Sequence, residues 1–402
     1  MSILISIVGL GLLILIHEAG HFVVARAVGM NPRKFYVGFP PALVKARRNG
    51  IEYGIGAIPL GGYVKIPGMH RPAAGDLDVH FGRAVEEEPS LRRPVEELRR
   101  KLDESDYEGA GEAVARLGEA TEAVHLSPLA QKSAERGLTD VADALGPDAY
   151  WRAKTWKRVA VIFAGPGANL VLAVILFALL FMVGGGKATV TVDEVVAGTP
   201  AAAIGLQPGD RILAIDREPV EADEIAARIS GSGGQPLELT VTRERKTVTL
   251  GPIEPRETDG AYRLGFVLRG EGLGPVESTG QAIRVTGIVT REIGASVGRL
   301  VTGDGREEIS SPVGIVQGSS EAVKQGADNY LWVLGLISLS LALLNLLPLL
   351  PLDGGHIAFS LLEGLRGKAV TREVYERVSM VGIAVVLLLF FIGLSNDIGR
   401  LN

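Results

Sequence analysis

The sequence predicts a polytopic α-helical membrane protein: four transmembrane helices, a membrane-associated β-hairpin and an extracytoplasmic α+β domain. Three observations carry that prediction. Four stretches, at about 2–28, 159–183, 331–352 and 378–394, are apolar over the roughly 17–25 residues a helix needs to cross the hydrocarbon core. A Gly- and Pro-rich alternating segment follows the first of them, and a run of period-2 segments lies between the second and the third. Composition agrees, since 47% of the 402 residues are hydrophobic and only 22% are charged. The net charge of −5 gives no footprint for nucleic acid, and with no cysteine any metal must be held by His, Asp or Glu.

The first span runs directly into His17-Glu18-Ala19-Gly20-His21. It lacks a basic flank and a small-residue cleavage pattern, so it is expected to be a retained helix and not a signal peptide. Ionisable groups inside membrane-length apolar sequence mark a functional site by default. On a helix, residues four apart lie about 40° apart around the axis and about 6 Å along it, so His17 and His21 can hold one Zn²⁺. Glu18 sits beside them, placed to take a proton from an attacking water. Two histidines capping a helix or binding haem would leave Glu18 without a role.

Residues 36–66 read as short strands and a hairpin folding back on the metal helix. Residues 71–150 are predominantly acidic with little that could form a core; 92–124 is compatible with helical periodicity, but the segment reads as a solvated or partly disordered cytoplasmic insert in which His80 and His125, like the adjoining His70, lie at the surface. Lys and Arg cluster after the first span, before the second, and between the third and fourth, so those loops are expected in the cytoplasm and both termini outside. The segment after the second span orders strand, turn, strand, helix and three strands. It resembles a bacterial PDZ domain, with 202–210 (Ala-Ala-Ile-Gly-Leu-Gln-Pro-Gly-Asp) close to that family's usual string, which implies peptide capture at Ala203, Ile204, Gly205 and Leu206. A rigid plug without a ligand is the alternative. Residues 279–301 carry apolar positions at helical spacing, as an amphipathic helix does, and 311–315 break the chain before another helical piece.

The third span ends in Asn345-Leu346-Leu347-Pro348-Leu349-Leu350-Pro351-Leu352-Asp353-Gly354-Gly355-His356. It runs inward, which brings Asp353 at its end to the depth of His17 and His21, toward the cytoplasmic end of the first span. Pro348, Pro351, Gly354 and Gly355 free the backbone so that the carboxylate can complete the ligand set, leaving a fourth position open. His356 is the rival ligand or a neighbour. Asn345 can bond another helix or hold an unwound substrate. The expected divisions are 1–70 (first span, histidines and hairpin), 71–150 (insert), 151–185 (second span), 186–270 (PDZ-like domain), 271–330 (amphipathic connector) and 331–402 (third and fourth spans with Asp353).

Taken together, the His17–His21 string, Gly56-Ala57-Ile58-Pro59-Leu60-Gly61-Gly62-Tyr63-Val64-Lys65, Ala164-Gly165-Pro166-Gly167-Ala168-Asn169, the PDZ string and 345–356 resemble the site-2 proteases, intramembrane zinc metalloproteases, in their bacterial single-PDZ form. The resemblance implies that His17, His21 and Asp353 bind Zn²⁺ and that Glu18 is the base. It also implies that a hairpin edge including Gly56, Ala57, Ile58, Gly61 and Gly62 presents itself to the substrate, and that Asn345 helps to hold it. Substrates would be single-span membrane proteins such as anti-sigma factors already trimmed by an upstream site-1-type protease, met in a bacterial inner membrane with the active site toward the cytoplasm. Two departures stand out: Ser311-Pro312-Val313-Gly314 replaces the family's Gly-Pro-Ile-Gly, and the insert is long. The rival readings are a membrane-anchored zinc peptidase cutting juxtamembrane or soluble peptides, and a non-catalytic PDZ scaffold.

Overall fold

A computed structural model describes residues 1–258, 260–303 and 305–401. They fall into two compact units, one comprising 1–172, 293–321 and 337–402, the other 173–292 and 322–336. In the first unit, helix α1 (Ser2–Ala27) is apolar along its length and ends just before Gly29, whose φ of 89° turns the chain. Strands β1 (Lys34–Arg48) and β2 (Ile51–Lys65) follow, joined through Asn49 and Gly50 at φ 50° and 78°, the left-handed pair that a tight hairpin between twisted strands requires.

These strands are longer than the short ones expected, and each bends back on itself. Residues 34–37 pair with 52–55 on one side and 62–65 on the other, while 44–48 pair with 51–55. The result is a ribbon four segments wide with 62–65 at one edge. Aromatic contacts fasten it to α1 and to itself: Phe35 packs edge-on to Phe22 at 5.2 Å, and Tyr36 stacks on Tyr63 at 5.2 Å.

The expectation of a partly disordered insert fails. Helices α2 (Ala74–Glu87), α3 (Arg92–Asp103), α4 (Tyr107–Glu122) and α5 (Pro128–Leu145) bury a shared core that includes Leu77, Phe81, Leu91, Leu98 and Leu117. The reason is a narrow apolar stripe of Ala, Leu and Val at helical spacing beneath a heavily charged surface. Asp106 and Ser127 cap α4 and α5 by accepting from Gly109 N–H at 3.0 Å and Ala130 N–H at 3.3 Å. Helix α6 (Thr155–Leu180) continues the chain, with Pro166 inside it.

The second unit contains a β module: β3 (Lys187–Val195), α7 (Pro200–Ala203), β4 (Arg211–Ile215), β5 (Glu218–Pro219), α8 (Ala222–Gly231), β6 (Leu237–Arg243), β7 (Lys246–Ile253), β8 (Arg256–Thr258), β9 (Ala261–Arg263) and β10 (Phe266–Glu271). Its main sheet runs β10-β3-β4-β6-β7 over a core of Val192, Ile212, Ile225, Leu239 and Val241. Leu264 and Gly265 interrupt what the alternation suggests is one strand from 263 to 268.

Helices α9 (Pro275–Thr302) and α10 (Pro312–Gln325) occupy the two positions where amphipathic and helical pieces are expected. Then come α11 (Ala327–Asn345), α12 (Asp353–Arg366) and α13 (Arg372–Leu401). Within the first unit, Asp397 of α13 accepts from Ser311 N–H at 2.8 Å, Ser311 Oγ–H at 2.6 Å and Gly314 N–H at 3.0 Å, and so holds the start of α10.

Four helices, Ser2–Ala27, Thr155–Gly184, Ala327–Asn345 and Glu373–Arg400, are long and apolar enough to cross a membrane. They match the four expected spans, except that the third stops at Asn345. Two nearby prolines, which lack an N–H and crowd the preceding turn, end the helix before the expected residue 352.

Candidate metal centre

The centre is assembled where α1 and α6 approach closely. A side chain at Gly20 would collide with the Ala164 carbonyl, and one at Gly165 would collide with both His17 Nε2 and His21 Nε2. Only glycine at 165 leaves the two imidazoles their space. His17 and His21 lie on the buried face of α1, 8% and 7% exposed. Asp353 comes from the first turn of α12, released from α11 by the irregular 346–352. At Gly354 a Cβ would strike the Leu346 and Leu347 carbonyls, so glycine is required for this close return of the chain.

Three atoms converge. Asp353 Oδ2 lies 3.2 Å from His17 Nε2 and 3.4 Å from His21 Nε2, and the two Nε2 atoms are 3.3 Å apart. A tetrahedral zinc with ligands at 2.0–2.1 Å has ligand–ligand edges of about 3.3 Å, so the triangle has the dimensions of one face of that site.

The protonation pattern supports the same fit. His21 Nδ1–H donates to the Val161 carbonyl at 2.8 Å, which leaves the Nε2 lone pair pointing inward. His17 Nδ1 lies 3.4 Å from the buried amide of Asn169. Turned about its last bond, that amide presents Oδ1, otherwise a buried acceptor without a partner, to the His17 Nδ1–H. Two lone pairs and a carboxylate then face one another with no proton among them, and Asp353 Oδ2 has no hydrogen-bond donor. A cation of zinc type resolves that conflict, and among the described residues this is the one group of three ligand-type side chains that could hold a metal.

Glu18 adjoins this cluster and accepts from the Val64 N–H, and Gly62 packs against its side chain. The ribbon's edge segment therefore lies at the carboxylate. Gly62 pairs with Val37, Gly56 is buried opposite Ala42, Ala57 is exposed, Gly61 leads into the edge segment, and the side chain of Ile58 lies outside the described residues.

Asn345 bonds back to the Leu341 carbonyl at 2.9 Å, at the end of its own helix. His356 is turned to Tyr375, whose hydroxyl is 2.8 Å from Nδ1, and burial with the His70 ring nearby drives its pKa down to about 4. It is a neutral neighbour of the triangle and not a corner of it. His70 is exposed, yet its ring meets Tyr375 edge-on at 4.5 Å. In the β module, Ala203 closes α7 and Ile204, Gly205 and Leu206 form the next turn, their N–H groups bonded to Pro200, Ala202 and Ala201 carbonyls. A groove of about 690 Å³ lies elsewhere in that module, along edge strand β10 and α8, lined by Ile225, Ile229, Phe266 and Leu268.

Asn169, Val161 and Gly165 had no assigned role in the sequence. The 164–169 string points to close packing, and a hydrogen bond to a ligand 152 residues away has no local signal.

The profile of peptidase family M50 matches residues 5–389. The chain is similar to the zinc metalloprotease RasP of Geobacillus kaustophilus, 31% identical over 429 residues, with 99% of this chain and 98% of that protein covered. It is also similar to the protein named probable protease eep of Enterococcus faecalis, 27% identical over 430 residues, with 99% of both chains covered.

Proposed function

The chain belongs to peptidase family M50, the site-2 proteases, and is an integral membrane zinc metalloprotease; from that premise we propose that it cuts peptide bonds within the membrane-spanning segment of single-span proteins. The observation that carries this reading is the triangle of His17, His21 and Asp353 beside Glu18, at the end of an apolar helix and next to a strand edge. His17, His21 and Asp353 would hold the zinc. When bound, the ion polarises the scissile carbonyl and makes water a stronger acid.

The chain's own groups do the rest. A transmembrane helix hides its carbonyls in its own hydrogen bonds, so a substrate must unwind and find replacement partners. Segment 62–65 pairs on one side only, and its other edge lies at Glu18. An unwound substrate laid along that edge regains backbone partners with its scissile bond at the carboxylate. Glu18 takes a proton from the attacking water and returns it to the departing amine. Gly165 and Asn169 keep the histidines placed, and Asn345, with one hydrogen bond to its own helix, has amide capacity left for a substrate carbonyl.

The distribution of basic loops favours a centre toward the cytoplasm and a β module outside, where its groove or bulk would discriminate against substrates not yet trimmed by an upstream protease. The test uses purified full-length protein in lipid with a single-span substrate. Wild type yields fragments ending inside the apolar span by mass spectrometry, and Glu18→Gln retains zinc and yields none. Cleavage confined to residues outside the span, or full cleavage by Glu18→Gln, overturns the proposal.

A further inference from the structure

The insert of α2–α5 has no part in the chemistry above, yet ion pairs join it to the ribbon that presents the substrate-binding edge. Lys65 Nζ pairs with Asp140 at 2.6 Å, and Arg33 pairs with Asp143 at 2.8 Å and Asp148 at 2.9 Å. All of these contacts are made at the end of the ribbon, where β1 begins and β2 stops. We propose that the groove between residues 63–66 and helices α2 and α5 seats the basic cytoplasmic flank of the substrate, so that the insert selects substrates by the charge next to their membrane span. This rests on the intramembrane reading above.

Three observations converge on it. The first is continuity: the edge segment that meets Glu18 at Val64 leads into a cavity of about 450 Å³, lined by Val64 and Lys65 on the ribbon side and by Arg71, Asp76, Asp140 and Asp143 on the insert side. A chain added to that edge and continuing past Ile66 meets the residues that line this cavity. The second is charge, since residues 71–150 hold eighteen acidic and ten basic side chains. Single-span proteins carry Lys and Arg immediately cytoplasmic of their span, so the flank arriving there is the complementary sign.

The third is the state of the acids in the groove. The Asp140–Lys65 pair is accessible, with Asp140 46% exposed, and pairs of that kind are worth little and exchange readily. Asp143 Oδ2 is buried, has no hydrogen-bond donor and lies 3.7 Å from Lys65 Nζ. A substrate Lys or Arg can therefore take Asp140 from Lys65 while Lys65 closes on Asp143. Because the flank is bound equally in the ground and transition states, the effect belongs in KM and not in kcat.

The experiment uses the full chain in lipid vesicles with two substrates identical in their span, one with four Lys or Arg on the cytoplasmic flank and one with Ser at those positions. The basic flank is expected to lower KM about five-fold at low salt with kcat unchanged, and the difference should shrink at high salt, where the Debye length falls to about 3 Å. Asp140→Lys should reverse the preference toward an acidic flank. Equal KM values for the two flanks, or a preference unaltered by Asp140→Lys, would overturn the proposal. A second measurement does not depend on turnover: with Glu18→Gln, a photoreactive residue at position 80, on the groove wall, should crosslink to the flank, and one at position 79, exposed on α2 outside the groove, should not. Crosslinking equal at both positions refutes the groove. Loss of cleavage inside the span for both substrates, with the crosslink at 80 intact, would instead strike the intramembrane reading alone.

Discussion

Asp353 and Asp210 are both largely withdrawn from solvent, and the structure treats them in opposite ways. Asp210, 1% exposed in the β module, accepts from Arg243 Nε at 2.8 Å, from Arg243 Nη2 at 2.6 Å and from the Gln207 N–H at 2.9 Å. Every direction from which a proton could come is filled. Asp353 faces two imidazole lone pairs and no donor. Asp210 is complete within its own chain, whereas Asp353 Oδ2 faces two imidazoles and is left short of a cation.

The contrast breaks most severely if the incomplete group turns out to need nothing. His21→Ala removes one corner of the triangle, so zinc measured in the purified protein should fall from one equivalent to nearly none, and cleavage with it. Retention of a full equivalent would mean that the three atoms are not the metal's ligands. A smaller loss is expected from Gly165→Ala, which leaves His17, His21 and Asp353 in place and pushes a methyl group against the two imidazoles. Zinc affinity should drop by about 10–100-fold, as when a supporting partner of a ligand is lost, with residual activity restored by added zinc. Unchanged affinity would show that α6 does not set the spacing of the rings.

How much of this was legible in the sequence depended on how local the physics is. The pairing of His17 with His21 follows from helical periodicity alone, and Asp353 follows once the direction of the third span is known. Asn169 and Gly165 stayed hidden because their partners are on another helix, and their local string is equally consistent with tight packing. The core of α2–α5 was missed because small apolar residues such as Ala110, Ala113, Ala130 and Ala134 form its stripe among many charges, so average composition read as solvated. The ribbon's fourth segment depends on 34–37 pairing with 62–65, a contact whose register no nearby residue announces. The same holds for the groove beside β10, which forms only because the last strand of the module returns to pair with its first.

The complete carboxylate gives the smallest and most specific prediction. Burial by itself would raise the Asp210 carboxyl, but the Arg243 guanidinium and the Gln207 amide outweigh burial and hold it below its ordinary 3.8. A carboxyl whose pKa is depressed on folding contributes stability that is present above the unfolded value and is lost as pH falls through the folded one. Asp210→Asn keeps the shape and removes the charge, leaving Arg243 with a weaker acceptor. A cost of about 2 kcal/mol is expected at neutral pH, below the ~3–5 kcal/mol of a fully buried pair because Arg243 is partly exposed. In the full chain that cost appears as amide exchange roughly thirty-fold faster at Ile212 and Val241, with zinc content unchanged. Compared with wild type, the difference should narrow as pH drops below 3.8, where the unfolded carboxyl takes up a proton first, and vanish once pH passes the lower folded value and the native carboxyl is protonated too. A difference that widened toward acid, or a loss of zinc in Asp210→Asn, would mean that the filled site and the unfilled one are not the separate kinds of centre their hydrogen bonding describes.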